Sequence, residues 1–178
     1  MFNLEGKNAF VSGASRGLGR QFANALAKAG ANIVITSRTL ESLETTKQEI
    51  EALGRKCIEI EMEVLKEDSI VNAVKRAEAE LGPISILVNN AGCYIRKPAL
   101  EVTWKDWETV VDTNLKGAFF LAKEIAKGMT DRGYGRIVNI GSVTSVAGYA
   151  GLGPYGASRG GIKQLTMSLA HDLSLIHI

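Results

Sequence analysis

Residues 8–19 read Asn-Ala-Phe-Val-Ser-Gly-Ala-Ser-Arg-Gly-Leu-Gly, and the interpretation of the remaining sequence starts from this stretch. Its apolar run at 9–11 predicts a buried strand, and glycines follow at positions 13, 17 and 19 before a helical pattern begins. Glycine lets the backbone approach a ligand closely, and the amides of a helix N-terminus favour negative charge. The stretch therefore predicts a phosphate-binding turn between a strand and a helix. Taken alone, the spacing G-x-x-x-G-x-G is also compatible with an ordinary glycine turn.

The composition is typical of a globular protein with one sizeable core, since 46% of the 178 residues are hydrophobic and 22% are charged. We expect no membrane segment, because no apolar run approaches the roughly 20 residues that cross a bilayer. The net charge of +2 is too small to indicate nucleic-acid binding. Cys57 and Cys93 lack the spacing of metal ligands, so they are predicted to be reduced thiols of a cytoplasmic protein without a metal site.

Short apolar runs alternate with helical periodicities along the chain. Strands are predicted at 9–11, 31–36, 56–62, 84–88 and 136–140. The alternation predicts an α/β fold, a doubly wound parallel sheet with helices on both faces, and the more polar third strand is expected near an edge. Thr103 and Asp106 predict a capping box at the start of a helix. Residues 1–172 are predicted to form a single domain.

In such a sheet, ligands bind outside the carboxyl ends of the strands. Besides the glycine turn, polar residues follow three other predicted strands: Arg38 after the second, residues 89–92 (Asn-Asn-Ala-Gly) after the fourth, and Ser142 after the fifth. We therefore expect these residues to surround one cleft.

Taken together, these segments resemble the short-chain dehydrogenase/reductase family. The resemblance covers about residues 4–172 and includes the three glycines, the 89–92 turn, Asn114 in Asn-Leu-Lys-Gly, Ser142, and Tyr155, which follows Ser142 by 13 residues. A looser similarity at 95–98 (Ile-Arg-Lys-Pro) points to gluconate 5-dehydrogenase-like members. A 3-oxoacyl-carrier-protein reductase-like enzyme or another ketone reductase stays open.

The resemblance implies a Rossmann-type fold and an oxidoreductase that interconverts a small carbonyl, such as a keto-sugar acid, and a secondary alcohol. It implies that Tyr155 exchanges the hydroxyl proton and that Ser142 hydrogen-bonds the substrate oxygen. It also implies that Asn114 holds a helix irregularity and a water in the proton relay. A free tyrosine has a pKa of about 10, so a tyrosine that acts at neutral pH needs positive charge nearby. The cofactor-binding positions that the resemblance implies are Gly13, Ser15, Arg16, Gly17, Leu18, Gly19, Ser37, Arg38, Glu63, Val64, Asn89, Ala91 and Gly92.

The end of the second strand indicates which cofactor binds. The chain reads Thr-Ser-Arg at 36–38, with no acidic residue to hold a ribose 2′-hydroxyl. Arg38, together with Arg16, suits a 2′-phosphate instead, so NADP(H) is predicted in preference to NAD(H). The alternative is that both arginines are solvated surface charges.

One departure from the family pattern affects the chemistry. Arg159 stands four residues after Tyr155, where the family has lysine. Arginine keeps the positive charge but does not release its proton, so a relay through a lysine amine is broken or rerouted. A nucleotide-binding module without turnover is therefore the alternative function. In addition, Glu63-Val64 stands where the family usually has an aspartate that contacts adenine.

The C-terminal residues 173–178 read Leu-Ser-Leu-Ile-His-Ile, which one reading frame of a transposase sequencing adapter encodes. Since the family continues with at least one further strand, we expect a truncated fragment whose native sequence ends near Asp172, and a natural amphipathic tail is the alternative. We expect the fragment to be inactive as written. Its fifth strand is expected at a sheet edge, and part of a helix face formed by Ile162, Leu165 and Leu169 is expected to be exposed.

Self-association is the last expectation from the resemblance. In this family the helix near 113–130 and the helix that begins at Tyr155 pack against partner subunits. The first of them carries Phe119, Phe120, Leu121 and Ile125, more apolar surface than one sheet face needs. A homodimer or homotetramer is therefore predicted, and core packing within the monomer is the alternative explanation.

Overall fold

The computed structural model describes residues 3–173 and contains one parallel sheet of five strands in the order β3-β2-β1-β4-β5. The strands are β1 (Asn8–Ser12), β2 (Asn32–Ser37), β3 (Cys57–Glu61), β4 (Ile86–Asn89) and β5 (Arg136–Asn139). The α-helices are α1 (Gly17–Lys28), α2 (Glu44–Ala52), α3 (Glu67–Leu81), α4 (Trp104–Val111), α5 (Gly117–Asp131) and α6 (Gly153–Asp172). The predicted doubly wound α/β fold is confirmed, and so is the edge position of the third strand. Of the expected non-native tail, residues 174–178 lie outside the described part.

The strand order creates a crevice between β1 and β4. From β1 in the centre the chain winds outward through β2 and β3, then crosses back to β4 and winds the other way to β5. Loops that leave the carboxyl ends of β1 and β4 therefore diverge, and this is where open α/β sheets bind ligands. Residues 12–19 and 90–92 lie at this point.

Two apolar layers cover the sheet because successive strand residues point to opposite faces. Phe10 and Leu87 face a cluster that includes Leu121 and Ile125 of α5. The neighbouring strand residues face the second cluster, which lies on the side of α1 and α2. Leu121 and Ile125 are fully buried in this monomer, so core packing explains that part of the apolar surface of α5.

The helical segment 104–131 contains the irregularity expected at Asn114. The Thr103 hydroxyl accepts the Asp106 N–H at 3.2 Å and the Asp106 carboxylate accepts the Thr103 N–H at 3.0 Å, which confirms the capping box at the start of α4. A π-helical turn, Asp112–Lys116, then joins α4 to α5. Such turns interrupt the regular bonding of a helix and are frequent at functional sites.

The sequence predicted an exposed sheet edge at the fifth strand and an exposed face on the last helix, and the structure confirms only the first of these in full. Within the described residues β5 pairs with β4 alone, and Val138 is 48% exposed, so the exposed edge is confirmed. The expectation of an exposed helix face was wrong for Ile162 and Leu169, which are 2% and 9% exposed. They are buried because α6 packs against α4 and against the π-helical turn, and because Leu169 joins the apolar cluster that contains Phe10. Leu165 is half-buried.

Over residues 3–173, no helix has the length and apolarity needed to span a membrane. In the same part of the chain, no group of three or more His, Cys, Asp or Glu side chains is placed to hold a metal ion. Burial raises the pKa of the Cys57 thiol to about 12, so this cysteine is a poor nucleophile and a poor metal ligand.

Candidate active site

The three glycines of the turn after β1 are needed for different reasons. Gly13 has φ of +65°, and a Cβ there would lie 2.9 Å from the Ala91 Cα. A Cβ on Gly19 would lie 2.2 Å from the Gly13 carbonyl oxygen, so this glycine allows α1 to pack on the turn. Gly17 has open space around it, but its φ of +56° favours glycine. The turn is therefore compact and held closely against the segment after β4.

Side chains of Ser12 and Asn90 join the ends of β1 and β4. The Ser12 hydroxyl accepts the backbone N–H groups of Asn90 and Ala91, both at 3.0 Å. The Asn90 amide donates to the carbonyl oxygens of Ser12 and Gly13 at 3.1 and 3.0 Å. These bonds of Ser12 and Asn90 were not predicted from the sequence. A hydroxyl residue that ends one central strand and a doubled asparagine after the next were the available signals.

The N-terminus of α1 opens toward this turn. Arg16 occupies the N-cap position, and its side chain makes no hydrogen bond to the helix. The first backbone amides of α1 therefore stay available to an anion. Ser15 is half-buried, and the side chains of Arg16 and Leu18 are exposed at the mouth. The electrostatics of the helix end therefore favour negative charge.

At the end of β2 the structure places two of the predicted residues side by side with different roles. The Ser37 hydroxyl donates to the Thr39 carbonyl oxygen at 2.5 Å and lies 2.7 Å from the Ser42 hydroxyl, which fixes the turn. Arg38 is exposed. Neither Arg16 nor Arg38 forms an ion pair or hydrogen bond through its side chain with the described residues, so both guanidinium groups are available to a ligand.

Three further predicted cofactor positions are engaged within the protein. The Asn89 side chain is buried and donates to the Ala118 carbonyl oxygen at 2.7 Å and to Asn139 Oδ1 at 3.1 Å. Val64 packs against Gly117, where a Cβ would lie 2.9 Å from the Val64 Cβ. The Glu63 carboxylate accepts the N–H of Leu65 at 3.3 Å. The Asn89 amide therefore links the end of β4 to α5 and to β5 beneath the cleft.

Asn114 is fully buried in the π-helical turn and bonds to two other segments. Its Oδ1 accepts the Cys93 N–H at 2.8 Å, and its Nδ2 donates to the Cys93 carbonyl oxygen at 2.8 Å and to the Ser158 hydroxyl at 3.0 Å. Ser158 in turn donates to the Tyr155 carbonyl oxygen at 2.8 Å. Asn114 thus connects the chain after β4 to the first turns of α6.

Ser142 and Tyr155 carry hydroxyls that are free to act on a ligand. Ser142 Oγ accepts the Thr144 N–H at 3.2 Å, which leaves its own proton for donation. Tyr155 lies in the first turn of α6, and its ring meets that of Tyr94 edge to face with centroids 6.1 Å apart. The Tyr155 hydroxyl has no hydrogen-bond partner among residues 3–173.

Arg159 brings a buried positive charge to the same place. Arg159 is only 6% exposed. Its Nη1 donates to the Ile140 carbonyl oxygen at 2.7 Å, and its Cζ lies 5.2 Å from the centroid of the Tyr155 ring. Its Nη2 lies 2.5 Å from the position of a Cβ on Gly92, so the glycine leaves room for the guanidinium. Its Nε is buried and has no partner among the described residues.

The segment 93–98 reaches Tyr155 through the ring of Tyr94 and is held in place by the backbone and the side chain of Lys97. The Lys97 N–H donates to the Gly151 carbonyl oxygen at 3.0 Å, and the ammonium group donates to the Asp106 carboxylate at 2.6 Å. Lys97 and the Thr103 cap hold the pKa of the Asp106 carboxyl at about 2, below its usual value. The Asp106 carboxyl is therefore ionised at neutral pH, and its ion pair with Lys97 holds residues 93–98 to the start of α4.

Comparison with known proteins decides the family. Residues 7–178 match the short chain dehydrogenase family over almost the whole chain. The chain is a short-chain dehydrogenase. It is 41% identical over 172 residues to gluconate 5-dehydrogenase of Gluconobacter oxydans, an alignment that covers 97% of this chain and 67% of that protein. The family resemblance and the enzyme class are confirmed, and members of this family use a nicotinamide cofactor.

Two other relatives lie in the branches named by the sequence resemblance. The 3-oxoacyl-(acyl-carrier-protein) reductase FabG of Aquifex aeolicus is 37% identical, with 96% of this chain and 69% of that protein covered. The crystal structure of a gluconate 5-dehydrogenase from Burkholderia cenocepacia in complex with NADP and tartrate superposes with a TM-score of 0.93 at 35% identity. It covers 98% of this chain and 69% of that chain. This short-chain dehydrogenase thus spans about two thirds of the length of its relatives.

Proposed function

We propose that this short-chain dehydrogenase interconverts a keto-sugar acid, or a similar small ketone, and its secondary alcohol with NADP(H). The arrangement of Ser142, Tyr155 and Arg159 carries the proposal. Ser142 follows β5 with a hydroxyl proton to donate, and the buried Arg159 guanidinium lies against the Tyr155 ring and bonds to the Ile140 carbonyl oxygen at the end of β5. Positive charge and hydroxyl donors suit a carbonyl oxygen that becomes negative during reduction.

Features of the cleft fit a dinucleotide phosphate. The turn of Gly13 and Gly19 leaves no room for side chains, and the amides at the start of α1 have no side-chain cap. Arg16 and Arg38 are exposed and unpaired among the described residues, which suits the extra phosphate of NADP(H) better than the diol of NAD(H). The buried, unpartnered Nε of Arg159 is a further donor that awaits an acceptor.

Bound NADPH would supply the hydride for carbonyl reduction, and NADP⁺ would accept it in the reverse direction. Ser142 donates its hydroxyl proton in a hydrogen bond to the substrate oxygen. Tyr155 transfers its phenol proton to that oxygen during reduction and takes a proton from the alcohol during oxidation. Arg159 places positive charge beside the Tyr155 ring. Solvent rather than the guanidinium returns the proton, because arginine does not release its own.

The substrate class rests on the relatives. Gluconate 5-dehydrogenase of Gluconobacter oxydans shows higher identity than the 3-oxoacyl-(acyl-carrier-protein) reductase, and a solved neighbour carries NADP and tartrate. We therefore favour a keto-sugar acid over a 3-oxoacyl thioester. No observation supports the alternative of a binding module without turnover, since the relatives are named as enzymes.

The remaining organisation is also part of the proposal. We propose that residues 1–172 are one native domain, that 173–178 are not native, and that the fragment lacks turnover by itself. We further propose a cytoplasmic homodimer or homotetramer. Its support is the apolar surface that α4 and the turn before it leave uncovered in the monomer, where Leu100, Trp104 and Trp107 are exposed.

Fluorescence titration with NADPH and NADH tests the cofactor. We expect tighter binding of NADPH, and Arg38→Ala should weaken NADPH about 10- to 100-fold while leaving NADH unchanged, since a charge-assisted bond contributes about 1.5–3 kcal/mol. Arg76→Ala, which removes a surface guanidinium paired with Glu80 on α3, is the matched control. Equal affinities that do not respond to Arg38→Ala would rule out the 2′-phosphate site.

A carbonyl panel tests the reaction. The panel contains 5-keto-D-gluconate, a 3-oxoacyl thioester and a simple ketone. It is offered to the chain and to a completed chain, residues 1–172 followed by the C-terminal third of the Gluconobacter oxydans relative. We expect NADPH consumption by the completed chain with the keto-sugar acid. If no carbonyl is reduced by the completed chain, even after Arg159→Lys, the binding-module alternative takes the place of this proposal.

A further inference from the structure

Ser142 and Tyr155 lie on separate elements, and the middle of the loop between them is exposed. Ser142 follows β5, whereas Tyr155 is in the first turn of α6. Residues 146–150 between them are exposed. Two groups that act on one substrate oxygen must each be held within about 0.5 Å of its productive position, so bonds that cross between loop and helix matter.

The hydroxyl of Ser145 makes such a crossing bond. Its Oγ accepts the backbone N–H of Ser142 at 3.1 Å and donates to the carbonyl oxygen of Arg159 at 2.8 Å. One side chain therefore links the backbone of Ser142 to the second turn of α6. The Ser145 N–H also donates to the Ser142 carbonyl oxygen at 2.9 Å, so both polar backbone groups of Ser142 are fixed by Ser145.

Other side-chain bonds between this region and α6 do not reach Ser142. The Arg159 guanidinium bonds to the Ile140 carbonyl oxygen at 2.7 Å, and the Asn139 amide donates to the Thr166 hydroxyl at 3.0 Å. Both attach the end of β5 to α6 before the chain reaches Ser142. Within the described residues, the Ser145 hydroxyl is thus the side-chain link that acts on Ser142 itself.

We propose that Ser145 is a positioning residue that holds Ser142 in register with Tyr155 on α6. The effect of Ser145 on turnover rests on the proposed function, whereas its effect on the position of Ser142 is independent of that function. Removal of the hydroxyl leaves the Ser142 N–H without its acceptor and lets the loop move relative to α6. A displacement of about 1 Å at a catalytic group lowers turnover by about 100-fold.

Three variants separate positioning from a general loss of stability. Ser145→Ala removes the link, and Ser145→Thr keeps a hydroxyl. Thr166→Val is the matched control, because it removes a hydroxyl that also joins the β5 region to α6 but that does not contact Ser142. Hydrogen exchange of the Ser142 amide, followed by NMR on the 178-residue chain, reports the link directly. Values of kcat and of KM for NADPH, measured on the completed chain, report its consequence for the reaction.

We expect Ser142 amide exchange about 10-fold faster in Ser145→Ala and unchanged in Ser145→Thr and Thr166→Val. We expect kcat to fall about 10- to 100-fold in Ser145→Ala, with KM for NADPH unchanged and rescue by threonine. Exchange at the wild-type rate in Ser145→Ala, or an equal fall of kcat in Thr166→Val, would overturn the proposal. Absence of turnover in the completed chain with Ser145 unchanged would count against the proposed function alone, and the exchange result would then decide the positioning role.

Discussion

Addition of one methyl group at Gly19 is expected to disrupt the cleft. The Cβ of Gly19→Ala would lie 2.2 Å from the Gly13 carbonyl oxygen and 2.5 Å from Asn90 Nδ2. Favourable contacts between heavy atoms occur at about 3.5–4.0 Å, so both neighbours have to move by about 1 Å or more. The backbone cannot rotate away as a long side chain would, and Asn90 is bonded to Ser12 and Gly13.

Two costs add in this variant. Overpacking of a well-packed region costs about 1–3 kcal/mol, and loss of the two Asn90 hydrogen bonds costs about 1–3 kcal/mol more. A total of about 3 kcal/mol lowers Tm by about 6–12 °C in a chain of this size. NADPH binding is expected to be lost as well, because the α1 amides shift with the turn.

Two other glycines provide matched controls, since each variant adds the same methyl group. Gly17→Ala meets open space but has φ of +56°, so about 1 kcal/mol is expected. Gly148→Ala meets neither a neighbour nor an unfavourable φ, so a change below about 0.5 kcal/mol is expected. Thermal unfolding by circular dichroism measures all three. A Gly19→Ala protein that melts within about 2 °C of the wild type would refute the steric argument.

Three further outcomes follow from particular contacts. Because Lys97 and the helix cap hold the pKa of Asp106 at about 2, its contribution to stability is present at neutral pH and is lost as the pH falls from about 4 to about 2. The loss of Tm in calorimetry over that range should be smaller for Asp106→Asn. Asn114→Ala should cost about 2–4 kcal/mol in urea unfolding, since it removes the hydrogen bonds of a fully buried amide to the N–H and C=O of Cys93 and to the Ser158 hydroxyl. Val138→Lys on the exposed edge of β5 should raise the protein concentration at which light scattering begins.

Local patterns were enough to predict the strands and the glycine turn. The apolar runs matched β1, β2 and β4 because buried parallel strands are apolar on both faces. The capping box of Thr103 was predictable because all of its atoms lie within one helical turn. The irregular helix at Asn114 was expected from the family resemblance rather than from propensity.

Partners that are distant in sequence could not be predicted. Asn89 was assigned to the cofactor pocket, but its amide bonds to groups 29 and 50 residues away, and no spacing reveals them. The Arg159 guanidinium depends on room at Gly92 and on the carbonyl oxygen of Ile140, both on other elements. The burial of Ile162 likewise depends on packing of α6 against helices that sequence periodicity does not place.

Initial rates of NADPH consumption with 5-keto-D-gluconate, compared between the completed chain and its Tyr155→Phe variant, test the proposed reaction most directly. The predicted result is saturable consumption that yields one alcohol per NADPH, with a rate at least about 100-fold lower in Tyr155→Phe and the same NADPH affinity in both proteins. Equal rates in the two proteins would contradict the role of Tyr155, and the absence of consumption would contradict the proposed reaction itself.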